Sequence, residues 1–437
     1  MFFKKIFFLV FTLPFLCFGA LDLKVQEHVL HNGLRILLYE DHTTPVISYY
    51  TWFNVGSAHE KKGQTGIAHL FEHMMFQGTK KYGKKQYDTI LANHGGQNNA
   101  FTSQDYTAYY VNIPSEHLEL VMDLESDRMV NLNVTQENLT SEREVVKEEK
   151  RSRYDNSPFG KMYEVIFPLT YPENHPYSWP TIGSMKDLNS LSVEECMNFY
   201  KTYYAPNNAT IVLVGDFDLK KTLELFEKYY RNLESQNISV LPQPESVKQK
   251  KEKIKTIYFT TQSEMMITAY HGTSALSHET YALDVLGTIL SDGKSSRLYK
   301  KLIYEDQVAT GISAAHNGNK LAGTFNIRLI MKPGLPIQKG EKLIIQVIEN
   351  LKKNGVTENE LQKSKNQILS SFLFGLKSKE NTAYSLGANQ IIFGDYRHFF
   401  EDIDKYNEVT KEDVLKVAQK YLHHNNKNTV YLKPLQQ

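Results

Sequence analysis

His69 and His73 stand four residues apart in the run His69-Leu70-Phe71-Glu72-His73. On a helix that spacing puts both imidazoles on one face, where they can close on a single zinc ion. Glu72 lies one position before the second histidine, so its carboxylate can reach a zinc-bound water and take its proton. Ile67, Ala68, Leu70, Phe71, Met74, Met75 and Phe76 surround these residues, and the segment reads as a largely buried helix. Gly63 and Gly66 before it and Gly78 after it supply plausible limits. Buried imidazoles need partners, and one metal satisfies both.

A catalytic zinc usually takes a third protein ligand and keeps one position open. The candidate stretch runs from Ser141 to Arg151. Ser141 with Glu144 makes a capping box, which predicts a helix beginning there. Glu142, Val145, Val146 and Glu149 then share one face, so two carboxylates are expected to turn inward with two valines, unlike Lys147, Glu148 and Arg151. A solvated charge run is the ordinary reading of such a sequence, and the valines are what favour the buried one.

The order H-x-x-E-H inverts the commoner zinc-protease motif H-E-x-x-H, and Glu149 follows His73 by 76 positions. In these residues the chain resembles the pitrilysin/insulinase family of zinc metallopeptidases, in the branch of the mitochondrial processing peptidases and their bacterial relatives. The likeness extends through Gly56-Ser57-Ala58-His59-Glu60, Gly95 to Thr102, Pro180-Thr181-Ile182-Gly183, and Tyr204 to Thr210 running into Val214-Gly215-Asp216. The resemblance implies that His69, His73 and Glu149 bind one zinc, that Glu72 is the general base, and that Glu142 is a supporting carboxylate near the metal. It also implies that Asn99, Ala100 and Thr102 lie on an edge strand that pairs with extended substrate. Edge pairing reads backbone more than side chains, which suits a zinc endopeptidase taking short or unfolded peptides.

The first twenty residues have the pattern of a secretory signal: Lys4 and Lys5, an apolar run from Ile6 to Phe18, and small residues at Gly19 and Ala20. Export to the periplasm or outside the cell is therefore expected, without a membrane span. Only Cys196 lies beyond that signal, so no intramolecular disulfide and no thiolate zinc site is expected. With 50 basic and 49 acidic side chains, the chain lacks the charge of a dedicated nucleic-acid binder.

An internal repeat accounts for the length. Ser192-Val193-Glu194-Glu195 followed by Tyr203 and Asn207-Asn208 recurs as Thr410-Lys411-Glu412-Asp413 followed by Tyr421 and Asn425-Asn426. Each copy reads as a capped helix, a turn and a final strand, Ile211–Val214 or Thr429–Leu432. Two homologous halves of α+β class follow, residues 21–234 with the metal motif and 256–437 without it, joined by a linker at 235–255. The family likeness implies that each half is a mainly antiparallel sheet with helices packed on one face. Asn32-Gly33 between two apolar runs predicts a hairpin turn. The second half's counterpart of the metal helix begins at Glu279 and carries no histidine pair.

The chain departs from the family pattern at one place. Self-sufficient members carry an arginine and, seven residues on, a tyrosine in the C-terminal half, and the aligned positions here are Ile303 and Thr310. Tyr304 and Arg297 are nearby but out of register. A complete zinc motif without that pair fits the metal-bearing subunit of a heterodimer, whose homologous partner supplies the missing pair. A homodimer is the variant reading. The alternative function is a non-catalytic assembly subunit of the same fold, as in respiratory-complex core proteins, whose zinc ligands are typically lost.

Overall fold

A computed structural model describes residues 23–241, 244, 247 and 249–435. The expected signal peptide lies outside the described residues. The first half holds six strands, β1 Gln26–Val29, β2 Arg35–Glu40, β3 Val46–Phe53, β4 Gln97–Thr102, β5 Thr107–Pro114 and β6 Ala209–Gly215, in the order β1-β2-β6-β3-β5-β4. The second holds β7 Lys253–Phe259, β8 Met265–His271, β9 Ala309–Gly318, β10 Gly323–Met331 and β11 Lys427–Pro434, in the order β7-β11-β8-β10-β9.

The two orders are the same apart from β1. In each half the last strand in sequence enters the middle of the sheet, parallel to one neighbour and antiparallel to the other. The repeated caps precede these inserted strands. Ser192 with Glu195 and Thr410 with Asp413 both form complete capping boxes. The Asn32-Gly33 hairpin also forms, with Gly33 at φ +85° and Val29 opposite Arg35. Strand β7 starts at Lys253, so the last residues of the expected linker, 253–255, belong to the second sheet, where they pair with β11.

Each sheet packs its own half's helices against one face. In the first half Ile67, Leu70, Phe71 and Met74 meet Tyr109, Tyr200 and Tyr204 in a closed core. The opposite faces are covered by exchange. Helix Lys379–Phe393 of the second half lays Ala383, Leu386 and Ile391 on Tyr50, Trp52, Val212 and Val214 of the first sheet. Helix Pro158–Thr170 of the first half lays Met162 and Ile166 on Ile267, Ala269, Val430 and Leu432 of the second. Both faces of these central strands are thereby dry, which explains why β6 reads as an unbroken apolar run, Ile211–Val214.

Gly387 measures this exchange. A Cβ on it would lie 2.1 Å from the indole nitrogen of the fully buried Trp52. Glycine-to-alanine in an undocked helix stabilises by about 1 kcal/mol, whereas overpacking a core costs about 1–3 kcal/mol. Gly387→Ala should therefore lower the urea midpoint, and a raised midpoint would show that this helix does not rest on Trp52.

Candidate metal centre

The metal helix spans Ile67–Met74 and starts from Gly66, whose φ of +92° lies in the left-handed region. A side chain at Gly66 would also strike the Ile182 carbonyl at 2.7 Å, so both backbone and space call for glycine. From that start the helical period buries Ile67, Leu70, Phe71 and Met74 in the core. His69, Glu72 and His73 line a cavity on the helix's other flank.

The ligand helix spans Gln136–Lys150 and is capped by Thr135, whose hydroxyl accepts from Asn138 N at 3.1 Å. The box expected at Ser141 does not form, because the earlier cap extends the helix and buries Leu139. Glu144 bonds Lys147 instead. Val145 also departs from expectation and is 48% exposed. The inward stripe is narrow, running through Leu139, Glu142, Val146 and Glu149 at alternating steps of three and four, and Val145 sits on its flank. The two carboxylates do turn inward, Glu142 buried and Glu149 half-buried.

The two helices bring their polar side chains together. His69 Nε2 lies 3.6 Å and His73 Nε2 3.2 Å from Glu149 Oε2. One donor atom from each of the three residues lies within 4.8 Å of the others. Ligands about 2.0–2.1 Å from a tetrahedral zinc sit roughly 3.4 Å apart, so this spacing fits a shared ion. His73 Nδ1 faces Glu142 Oε2 at 3.6 Å, where a carboxylate behind the ring sets its tautomer and orientation. His69 Nδ1 is buried with no partner among the described residues.

The electrostatics favour a positive charge here. Burial pushes the His69 imidazole down to about 4, leaving it neutral near pH 7. Burial opposes charge on His73 too, but Glu142 and Glu149 overcome it and hold that ring up at about 9. The hydrogen bond to His73 in turn holds Glu149 below the usual carboxylate range. Burial raises Glu72, against the pull of Thr102 and His73. A cation held by the three ligands answers the same negative field that draws a proton to His73. Two imidazole nitrogens and one carboxylate oxygen are a suitable zinc donor set.

These groups open on a cavity of about 480 Å³, walled by Asn99, Ala100, Phe101 and Thr102 of β4 and by Thr181 and Ile182. Strand β4 is the edge of its sheet, with one side free. The Ala100 amide donates to Asn99 Oδ1 at 2.9 Å. Thr102 does more than the edge-strand reading assigned it: its hydroxyl donates to Glu72 Oε2 at 2.5 Å. Arg153 is a residue the sequence reading missed. A π-type turn after the ligand helix, Arg151–Asp155, returns it to Glu149, Nη1 to Oε1 at 2.8 Å. Its signal was the i,i+4 spacing from Glu149.

Neither position aligned with the missing pair reaches this cavity. Ile303 packs against the second core and Thr310 is exposed on β9. Tyr304 is 74% exposed. Arg297 is engaged with Glu360, at 2.6 Å, and with the Gly355 carbonyl, at 3.0 Å.

Residues 35–169 match the family model described as Insulinase (Peptidase family M16), and residues 190–368 the model described as Peptidase M16 inactive domain. The chain is 31% identical over 418 residues to the zinc protease PqqE of Helicobacter pylori, covering 94% of this chain and 93% of that one. It is 26% identical to a Bacillus subtilis protein named as the zinc protease YmxG, covering 90% and 95%. The crystal structure of a protease from Helicobacter pylori superposes with a TM-score of 0.89 at 29% identity, over 94% of this chain and all of that one. The periplasmic protease PqqL of Escherichia coli shares the fold at 18% identity with a TM-score of 0.76, over 95% of this chain but 48% of PqqL. The chain belongs to the pitrilysin/insulinase family of metallopeptidases.

Glu142 tests the site's outer layer. Glu142→Gln should leave zinc content near the wild-type level and lower peptide turnover about 10–100-fold, the usual cost of removing a group that orients a ligand. Zinc and turnover measured on one preparation decide it, and unchanged turnover would reduce Glu142 to a buried helix residue.

Proposed function

We propose that this chain is a zinc endopeptidase subunit that cleaves short or unfolded peptides. The observation carrying the proposal is the convergence of His69 Nε2, His73 Nε2 and Glu149 Oε2 beside Glu72. His69, His73 and Glu149 would hold the ion. Zinc there would supply a Lewis acid that acidifies water and polarises the scissile carbonyl. Thr102 ties one Glu72 oxygen, leaving the other to accept the proton of the attacking water and pass it to the leaving amine. Its raised affinity for protons, a consequence of burial, suits both transfers. Arg153 holds the outer oxygen of Glu149, so Oε2 stays turned toward the histidines. The free edge of β4 at Asn99, Ala100 and Thr102 would align an extended substrate by backbone pairing.

The proposal includes a homologous partner subunit. Ile303 and Thr310 supply neither the arginine nor the tyrosine that the family pattern expects, and this chain matches only about half the length of PqqL. A second copy of the fold bearing that pair would complete the oxyanion site. Export is proposed from the leader at residues 1–20, with the periplasmic PqqL sharing the fold. No helix among the described residues is long and apolar enough to cross a membrane. The scaffold reading has one observation in its favour, the match of residues 190–368 to a domain described as inactive.

Two sets of variants separate these readings. His69→Ala, His73→Ala and Glu149→Gln should each lose zinc, whereas Glu72→Gln should keep it and lose hydrolysis, because it removes the base and leaves the ligands. The isolated chain should cleave peptides feebly, and a homologous subunit bearing the arginine and tyrosine should raise turnover about 10²–10³-fold, the worth of an oxyanion donor. Zinc content unchanged in all three ligand variants would remove the metal reading. A zinc-loaded complex that cleaves nothing would favour the scaffold.

A further inference from the structure

Two of the stretches that carry the family likeness, Gly56–Glu60 and Pro180–Gly183, have no part in the chemistry above. The structure joins them through one buried carboxylate. Glu60 is 7% exposed, and its oxygens accept three N–H bonds: Gly66 N at 3.0 Å, Ala68 N at 3.0 Å and the Trp179 indole at 2.9 Å. Gly66 is the N-cap residue of the metal helix and Ala68 lies in its first turn, where leading N–H groups lack a helical carbonyl to bond. Gly66, the residue before that helix, offers no side-chain cap. Glu60 takes that role from outside the helix, its two oxygens accepting from Gly66 N and Ala68 N.

The same carboxylate fixes the opposite wall of the cavity. Trp179 precedes the turn carrying Thr181 and Ile182, which line the metal cavity. There the two backbones touch: a Cβ on Gly183 would lie 2.3 Å from the Thr65 carbonyl. A second carboxylate reinforces the seam, with Asp187 accepting from Thr65 N at 3.1 Å and Thr65 Oγ1 at 2.6 Å. Among the described residues no lysine or arginine bonds Glu60, and the three hydrogen bonds that hold it run to neutral N–H groups.

We infer that Glu60 is a positioning residue of the metal centre, clamping the start of the metal helix to the 179–183 segment and so setting where His69, Glu72 and His73 stand against Glu149. The inference rests on the metal reading of the site. Glu60 touches neither ligand nor substrate and acts through the helix it caps. It requires two acceptor oxygens, so Gln, the same size with one oxygen replaced by a donor, cannot stand in for it.

The test uses the full mature chain, with zinc affinity measured by chelator competition and the site read from the visible spectrum of the cobalt(II)-substituted protein. Glu60→Gln should weaken zinc binding about 10–100-fold and change the cobalt spectrum. Trp179→Phe, which removes the indole N–H together with part of the ring, should act in the same direction but less. Tyr230→Phe breaks the buried Tyr49–Tyr230 hydroxyl pair, 2.6 Å apart and away from the metal helix, and serves as a destabilised control. It should lower the melting temperature of the metal-free protein yet bind zinc as the wild type does. Zinc affinity in Glu60→Gln equal to wild type, or reduced no further than in Tyr230→Phe, would overturn the clamp while leaving the metal site standing. A wild-type chain that takes up no zinc would overturn the metal reading and the clamp with it.

Discussion

Bringing Glu149 against two histidines in a half-buried crevice is the constraint around which the first half is arranged. Desolvating a carboxylate and two imidazoles is costly unless charge and hydrogen bonds compensate. The structure meets that cost with opposite charge on one side and fixed donors on the other. Glu142 backs His73, Arg153 backs Glu149, and Thr102 backs Glu72, so three of the four groups at the site are braced by a neighbour from another turn or strand. Such bracing holds donor atoms near zinc geometry without the ion doing all the work of assembly.

The braces come from distant parts of the sequence and depend on the fold to meet. Thr102 lies on the edge strand, Arg153 on the turn after the ligand helix, and Glu60 on a short turn before the metal helix. The exchanged helices extend this dependence to the second half. Helix Lys379–Phe393 covers Trp52 on β3, a strand of the sheet whose other face carries the metal helix. The second half thus lacks a metal motif but still supports the first half's sheet from behind.

Much of this was legible in the sequence. The histidine pair and the hairpin were read from residue types and short-range spacing and the repeat from two matching stretches, whereas Glu149 was assigned beside the histidines through the family resemblance. The sequence was less legible where two local signals competed. Thr135 and Ser141 are both good caps, and the choice between them turned on burying Leu139, a tertiary fact. Val145 and Val146 are alike in type, and only the stripe's width decides which faces inward. The exchange of helices between halves leaves no sequence signature, since an amphipathic face does not say which sheet it covers. The clamp at Glu60 was invisible because two of its partners are backbone N–H groups and the third, Trp179, lies 119 residues away.

The central claim is that two imidazoles and one carboxylate of this chain hold a zinc ion. X-ray absorption at the zinc edge of the purified protein tests it most directly. The account predicts one zinc per chain with only nitrogen and oxygen neighbours, two of them histidine, at about 2.0–2.1 Å. Sulfur in the shell, a single histidine, or an unchanged spectrum after replacing His73 would contradict it.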